Sequence, residues 1–257
     1  MKEELNKHLL DALNANVRYD GRKKDEYRTV EIEYGVSATA EGSARVKLGD
    51  TEIIAGVKMS VETPYPDSPE QGNLMVDVHL LPLASREFES GPPGINAIEI
   101  ARVTDRGIRE SHCIDLKSFC IKKGEKVWSV SVDVSTLNFD GNLFDAASLA
   151  VLAAIKDTKI PSLDDDMIPN YKEKSKNVLD LKKEPIGITV YKIGDHFVVD
   201  PSAAEEAQLD ARLTVTTLKD GSICAMQKGG ITPLTADDVE AIIDIATAKA
   251  AELRKHL

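Results

Sequence analysis

The sequence predicts an α+β chain with mixed sheets. Three observations point there. β-like segments come in runs joined by hairpin turns, and helical segments interrupt those runs. The order along the chain is strands, helix, strands, helix, a polar connection, strands, helix. Hydrophobic residues make up 42% of the 257 positions, enough to bury a sizeable core in one large or two small units.

Residues 2–15 are expected to form a short amphipathic helix, with Leu5, Leu9 or Leu10, and Leu13 near helical spacing. Tyr19-Asp20-Gly21-Arg22 is a turn signal. Val30, Ile32 and Tyr34 alternate with glutamates, the period of a half-buried strand. Residues 44–48 and 51–59 read as a hairpin turning at Gly49-Asp50, residues 61–73 as a Pro-rich loop, and 74–83 as a further strand. After Pro92-Pro93 the pattern becomes helical over about 95–111, and strands follow at about 118–122 and 127–137. Residues 143–155 are Ala-rich and apolar on most faces, which predicts a buried helix.

Residues 161–184 are polar, with Asp164-Asp165-Asp166 and several lysines. They read as a connection between a first half of about 17–160 and a second half of 185–257, within a single unit spanning 1–257. In the second half, strands are expected at 186–193, 197–199, 213–218 and 223–227. The final helix is announced by Thr235, three residues before Asp238, a pattern close to a capping box. Ala241, Ile242, Ile245, Ala248 and Leu253 follow on mostly helical spacing. Glu41-Gly42-Ser43 and Asp220-Gly221-Ser222 each open a strand, a hint of duplication too slight to count as a sequence repeat.

Composition excludes several classes of function. No apolar run approaches the ~18 residues needed to span a bilayer. The N-terminus is charged from its second residue and carries no signal-peptide core. Cys113, Cys120 and Cys224 form no CxxC pair, which suits a reducing cytoplasm better than a disulfide scaffold or zinc site. The five histidines lack metal-ligand spacing, so no metal or other cofactor is expected. A net charge of −11 argues against a free-standing nucleic-acid binder, because phosphate binding relies on Lys and Arg. Contact with RNA would need a local basic patch or basic surface from a partner.

Three sets of residues could carry chemistry. On the helix at 95–111, Arg102, Arg106 and Arg109 fall within about 60° of one another, while Ala97, Ile100, Ala101, Thr104 and Ile108 lie broadly opposite. Guanidinium forks suit phosphodiester oxygens, but the same face could be a solvated one whose arginines pair with Glu99 and Asp105. Asp140-Gly141-Asn142 leads into the buried helix, and a Gly-containing turn there could bind an anion. Leu143 and Phe144 follow instead of a hydroxyl or a cation, which favours a plain Asn/Gly cap. Asp200, Glu205, Glu206 and Asp210 could act as acid, base or metal ligands, or could be an Asp-Pro turn and the acidic first turn of a helix.

Several motifs resemble the ribonuclease PH family: Arg18-Tyr19-Asp20-Gly21-Arg22, the run from Ala40 to Thr51, Gly91-Pro92-Pro93, Ile98 to Arg106, and Asp140 to Ala146. Within the family they most resemble the non-catalytic subunit of the archaeal exosome, from about Val17 to the last helix. The resemblance implies a ribonuclease PH-like fold (ribosomal protein S5 domain 2-like) of two pseudosymmetric βαβα halves. It implies a hexameric ring of three heterodimers with a catalytic paralogue, capped by subunits with S1-type RNA-binding domains. The assembly would degrade single-stranded RNA from its 3′ end with inorganic phosphate, which the paralogue would use. By the same resemblance Arg102 and Arg106 reach RNA phosphates beside the paralogue, and Arg109 is included because it shares their face.

Active family members resemble Asp-Gly-Gly-[Ser/Thr]-Arg where this chain has Asp140-Gly141-Asn142-Leu143-Phe144. The attacking phosphate would lose a hydroxyl donor and a guanidinium, and with them the positioning on which phosphoryl transfer depends. Glu205-Glu206 and Asp210 only approximate the spacing of the catalytic carboxylates. The expectation is a pseudoenzyme subunit without catalytic residues. The alternatives are an active phosphorolytic ribonuclease using Asp200, Glu206 or Asp210, and an unrelated metabolic enzyme of α+β fold.

Overall fold

The computed structural model describes residues 2–172 and 175–257. Helix α1 (Lys2–Asn14) is followed by β1 (Val30–Tyr34), β2 (Gly42–Leu48), β3 (Thr51–Glu62) and β4 (Asn73–His79). Then come α2 (Ile95–Glu110), β5 (Cys120–Lys122), β6 (Lys126–Asn138) and α3 (Leu143–Asp157). The connection contains a small hairpin, β7 (Ser162–Leu163) with β8 (Pro169–Asn170). The second half holds β9 (Ile186–Ile193), β10 (His196–Val199), the one-turn α4 (Ala203–Glu206), β11 (Ala211–Thr217), β12 (Ile223–Gly230) and α5 (Ala236–Leu253). Each half thus runs strands, helix, strands, helix.

The first sheet has the order β1-β2-β3-β6-β4, with β5 also on β6. Its pairs are antiparallel except β4 with β6, which is parallel because α2 carries the chain across between them. The second sheet, β10-β9-β11-β12, is antiparallel throughout. β4 and β12 are therefore the end strands of their two sheets. The first sheet is mixed, as the sequence predicts, and the second is purely antiparallel.

Helix α3 lies between the sheets, packing on β2 and β3 on one side and on β9 on the other. From Leu143 to Ile155 every residue except Ser148 is buried. The many alanines let both sheets approach closely: a Cβ at Gly42 would strike the Ala154 carbonyl, and one at Gly187 would crowd Ser148. The second sheet is covered on both faces. Gly187, Thr189, Thr214 and Thr216 face the two central helices, and the alternate residues Ile186, Ile188, Val190, Leu213 and Val215 are buried on the α5 side.

Three expectations are corrected in detail. The strand expected at 74–83 ends at His79, because the Thr136 hydroxyl accepts from the Leu81 N–H and donates to the His79 carbonyl, replacing the ladder before Pro82. The strand expected at 118–122 begins as a 3₁₀ turn, Leu116–Phe119, whose Lys117 N–H is capped by Asp115. The apolar stripe of α5 is Ile242, Ala246, Ala250 and Leu253, with Ala248 exposed, since i,i+4 spacing keeps one narrow row against the sheet. Within the 161–184 connection β7 and β8 pair, and Val178 bridges back to Lys159. The Thr235–Asp238 capping box forms as expected. In α1, Leu9 and Leu13 are buried against Ile193 and Val198, and the side chain of Leu5 lies outside the described residues.

A cluster of buried charges clasps the two halves. Asp200 is fully buried and left-handed (φ 46°). One carboxylate oxygen accepts from Arg28 Nη2 at 2.7 Å and Asn142 Nδ2 at 3.0 Å. The other accepts from Arg22 Nη1 at 3.0 Å, Arg28 Nε at 2.9 Å and the Arg28 N–H at 2.8 Å. Arg28 also reaches the Asp140 carbonyl at 2.6 Å, tying the turn before α3 to the strand end before α4. Beside it, the Arg18 side chain is fully buried and forks onto Glu205 at 3.0 and 2.5 Å. Removing one member of such a set strands the others' charge in a low-dielectric site. Asp200→Ala should therefore lower unfolding stability by about 3–5 kcal/mol in urea titration. An unchanged urea midpoint would show that the clasp adds nothing to stability.

Candidate nucleic-acid interface

Helix α2 begins after Gly94 and buries Ala97, Ile100, Ala101, Val103, Thr104, Gly107 and Ile108. This contains the whole apolar side expected from the sequence. The helix packs against β4, α3 and β12, so it bridges the end strands of the two sheets. Two contacts fix its height over the second sheet. Glu99 pairs with Arg212 on β11 at 2.7 Å, and Gly107 sits so close to Thr216 that an added Cβ would lie 3.3 Å from it. The arginine face opens on the β4 side into a groove of about 570 Å³ lined by Tyr65, Met75, Ile98, Arg102, Arg106 and Arg109, among others.

The structure brings the three arginines to one exposed face but gives them different partners. Arg102 is exposed and, among the described residues, has no hydrogen bond or ion pair. Arg106 donates from Nη1 to Gln227 Oε1 on β12 at 2.9 Å. Arg109 forks onto Asp105 at 3.0 and 2.7 Å and donates to the Leu74 carbonyl on β4 at 2.8 Å. The pairing of this face with acids thus holds for Arg109 alone, since Glu99 is turned to Arg212. Hydrogen bonding to Asp105 raises the Arg109 pKa further above its ordinary value. Gln227 and Arg212 were not singled out from the sequence. Each belongs to a strand more than a hundred residues from α2, and neither has a local signal.

The Asp140–Asn142 turn is a structural junction. Gly141 has φ 85°, and a Cβ there would meet the backbone of Pro201, Ser202 and Ala203. Thr51 accepts from the Asp140 N–H at 3.1 Å and donates to the Gly141 carbonyl at 2.7 Å. Asn142 is the N-cap of α3, in the left-handed conformation (φ 57°), as the Asn/Gly reading expected. Its amide makes no cap, however, and instead bridges the carboxylates of Asp145 and Asp200 at 3.1 and 3.0 Å. Leu143 and Phe144 line a cavity of about 380 Å³ with Leu80, Phe88, Ile100 and Phe139. The cation at its wall, Arg212, stacks 4.5 Å from the Phe144 ring centroid and is already paired with Glu99.

The four acids do not form one site. Asp200 is saturated by five donors, and Glu205 is consumed by Arg18 and by the capping box that starts α4. Asp210 accepts from the Gly194 N–H at 2.7 Å in the β9–β10 turn. Glu206 alone borders the cavity, where burial raises its pKa despite hydrogen bonds from the Asn142 N–H and Tyr191. Among the described residues no group of three or more His, Cys, Asp and Glu side chains could hold a metal ion, and no helix is long and apolar enough to cross a membrane.

Two sheets clasping shared helices, with an arginine-bearing helix at their seam, define a ribonuclease PH-like fold. Residues 26–161 match domain 1 of the 3′ exoribonuclease family, and residues 183–249 match its domain 2. The chain belongs to this family. It is 47% identical over 250 residues to the exosome complex component Rrp42 of Methanocella arvoryzae, covering 97% of this chain and 94% of that one. Identity to the Rrp42 component of Methanothermobacter thermautotrophicus is 46% over 253 residues, covering 98% and 93%. A subunit of the Archaeoglobus fulgidus exosome with RNA bound to the active site superposes with a TM-score of 0.92 at 44% identity, covering 99% and 98%. A chain of an archaeal exosome core superposes at 0.86 with 40% identity, covering 99% and 96%.

Asp145, in the first turn of α3, provides a pH test of this junction. Burial pushes its carboxyl up to about 7, against hydrogen bonds from Tyr27, Asn142 and Thr189 that favour the charged form. The folded chain thus keeps a proton there that the unfolded chain, titrating near 3.8, has released. The group's contribution to stability is complete below about pH 4 and is lost as pH rises towards 7. The stability difference between the unmodified chain and Asp145→Asn should therefore fall as pH is raised across that range in a series of urea titrations. A difference that stays level would place the carboxylate's titration elsewhere.

Proposed function

We propose that this chain is a non-catalytic subunit of an archaeal exosome ring. It assembles with a catalytic ribonuclease-PH-type paralogue as three heterodimers, under cap subunits with S1-type domains, in the cytoplasm. It positions single-stranded RNA through Arg102 and Arg106, with Arg109 on the same face. The paralogue uses inorganic phosphate to degrade that RNA from its 3′ end, and this chain carries neither cofactor nor catalytic group.

The observation that carries the non-catalytic reading is the entrance to α3. Leu143 and Phe144 present apolar side chains to the cavity where a phosphate would need donors. Arg22 and Arg28 are spent on Asp200, and Arg212 on Glu99. Without a hydroxyl or a free cation at the start of α3 to hold a phosphate there, Glu206 has nothing to protonate. The RNA-positioning reading is supported by the exposed Arg102, which has no partner among the described residues, and by Arg106, whose one side-chain partner there is a neutral amide. A chain of net charge −11 cannot draw RNA by its overall field, so this local face works with basic surface from partners.

The purified chain, given single-stranded RNA and phosphate, should release no nucleoside diphosphates, and mixing it with its paralogue should give a ring that does. Robust phosphorolysis by the chain alone would overturn the non-catalytic reading. Arg102→Ala with Arg106→Ala should leave the mass of the ring unchanged and weaken its RNA binding. The slope of log affinity against log salt should become shallower by ~0.7 for each phosphate that is no longer neutralised. Normal affinity and an unchanged slope in the double variant would remove RNA recognition from this helix.

A further inference from the structure

We propose that Gln227 on β12 is a positioning residue for Arg106, aiming its guanidinium at RNA phosphate without neutralising it. This rests on the reading of α2 as an RNA-contacting helix. It adds a residue from the second half of the chain to that site, and it separates Arg102 and Arg106 from Arg109.

The argument comes from how the three guanidiniums are partnered. Arg109 meets a carboxylate through both Nε and Nη2 and also donates to the Leu74 carbonyl, so its charge is offset and its fork occupied. Arg106 meets only an amide oxygen, through Nη1 at 2.9 Å. A guanidinium has donors and no acceptor, so the Gln227 amide must turn its oxygen to Arg106. Its Nε2 then donates to the Lys228 carbonyl at 3.2 Å, which holds the amide in that orientation. Arg106 keeps its full charge and the Nε and Nη2 side of its fork, while one end is tied to the neighbouring sheet. Ordering a rotamer-rich side chain before RNA arrives removes part of the entropy loss that binding otherwise carries. The geometry depends on α2 sitting low over the second sheet, where Glu99–Arg212 and the Gly107–Thr216 approach hold it. Glutamate at position 227 would have nearly the same shape but would do to Arg106 what Asp105 does to Arg109.

That isosteric exchange is the test. In the ring formed with the paralogue, fluorescein-labelled oligoadenylate binding is followed by anisotropy across a potassium chloride series. Gln227→Glu should weaken binding as much as Arg106→Ala and make the salt slope shallower by ~0.7, the equivalent of one single-strand phosphate. The two changes together should be no worse than Arg106→Ala alone. Gln227→Ala leaves the charge free but unaimed, so affinity should fall roughly two- to ten-fold with the slope retained. In phosphorolysis each variant should raise KM and leave kcat unchanged, since the chemistry belongs to the paralogue. If Arg106→Ala weakens binding but Gln227→Glu does not, or if their effects add, the positioning role is overturned while the RNA reading stands. If Arg106→Ala itself changes nothing, both fail.

Discussion

Burial of the Asp200 carboxylate organises much of the molecule. A charge at zero exposure must be met by donors, and the chain supplies five of them from Arg22, Arg28 and Asn142. Those donors belong to segments far apart in sequence. The loop before β1 is pulled between the halves, the turn before α3 is drawn against the strand end before α4, and the start of α3 is thereby set. Arg18 and Glu205 repeat the arrangement one step away. The clasp specifies how the halves meet, whatever its net contribution to stability.

The same clasp decides the chemistry of the α3 entrance. In a phosphate site this turn would direct donors outward. Here the turn's own polar groups are taken up by Asp200, Asp145 and Glu206, and what the start of α3 presents to the cavity is Leu143 and Phe144. Arginines are abundant around the turn, yet each already has a carboxylate partner. Counting cations near a cavity would overestimate its affinity for anions, and what matters is which of their donors remain unused.

At the seam the opposite holds. Helix α2 touches the end strands of both sheets, and its arginines share their groove with Asp77 of β4 and with Asp105 and Glu110 of the helix itself. One is neutralised, one is held by a neutral amide, and one has no partner among the described residues. An acidic protein thereby keeps a short cationic stretch, which suits contact with a polyanion at one place and not over the whole surface.

Much of this was legible in the sequence. Period-2 runs and hairpin turns gave the strands, the Ala-rich run gave a buried helix, and the Thr235–Asp238 pair gave the start of α5, because these signals are local. The shared face of Arg102, Arg106 and Arg109 was equally visible, since helical spacing alone puts them together. The apolar Leu143-Phe144 could be read directly against the family's phosphate-binding pattern. Tertiary structure decided what each charge does. Spacing does offer Asp105 to Arg109 one turn away, but no spacing rule says that Glu99 turns to Arg212, that Arg102 is left without a partner among the described residues, or that Arg106 finds an amide from β12. Nor does one say that Asp200, Glu205, Glu206 and Asp210, close in sequence, serve four separate structural contacts. Side-chain type and spacing determine which groups share a face. Which partner each group meets depends on strands more than a hundred residues away, and only the packed sheets bring those into reach.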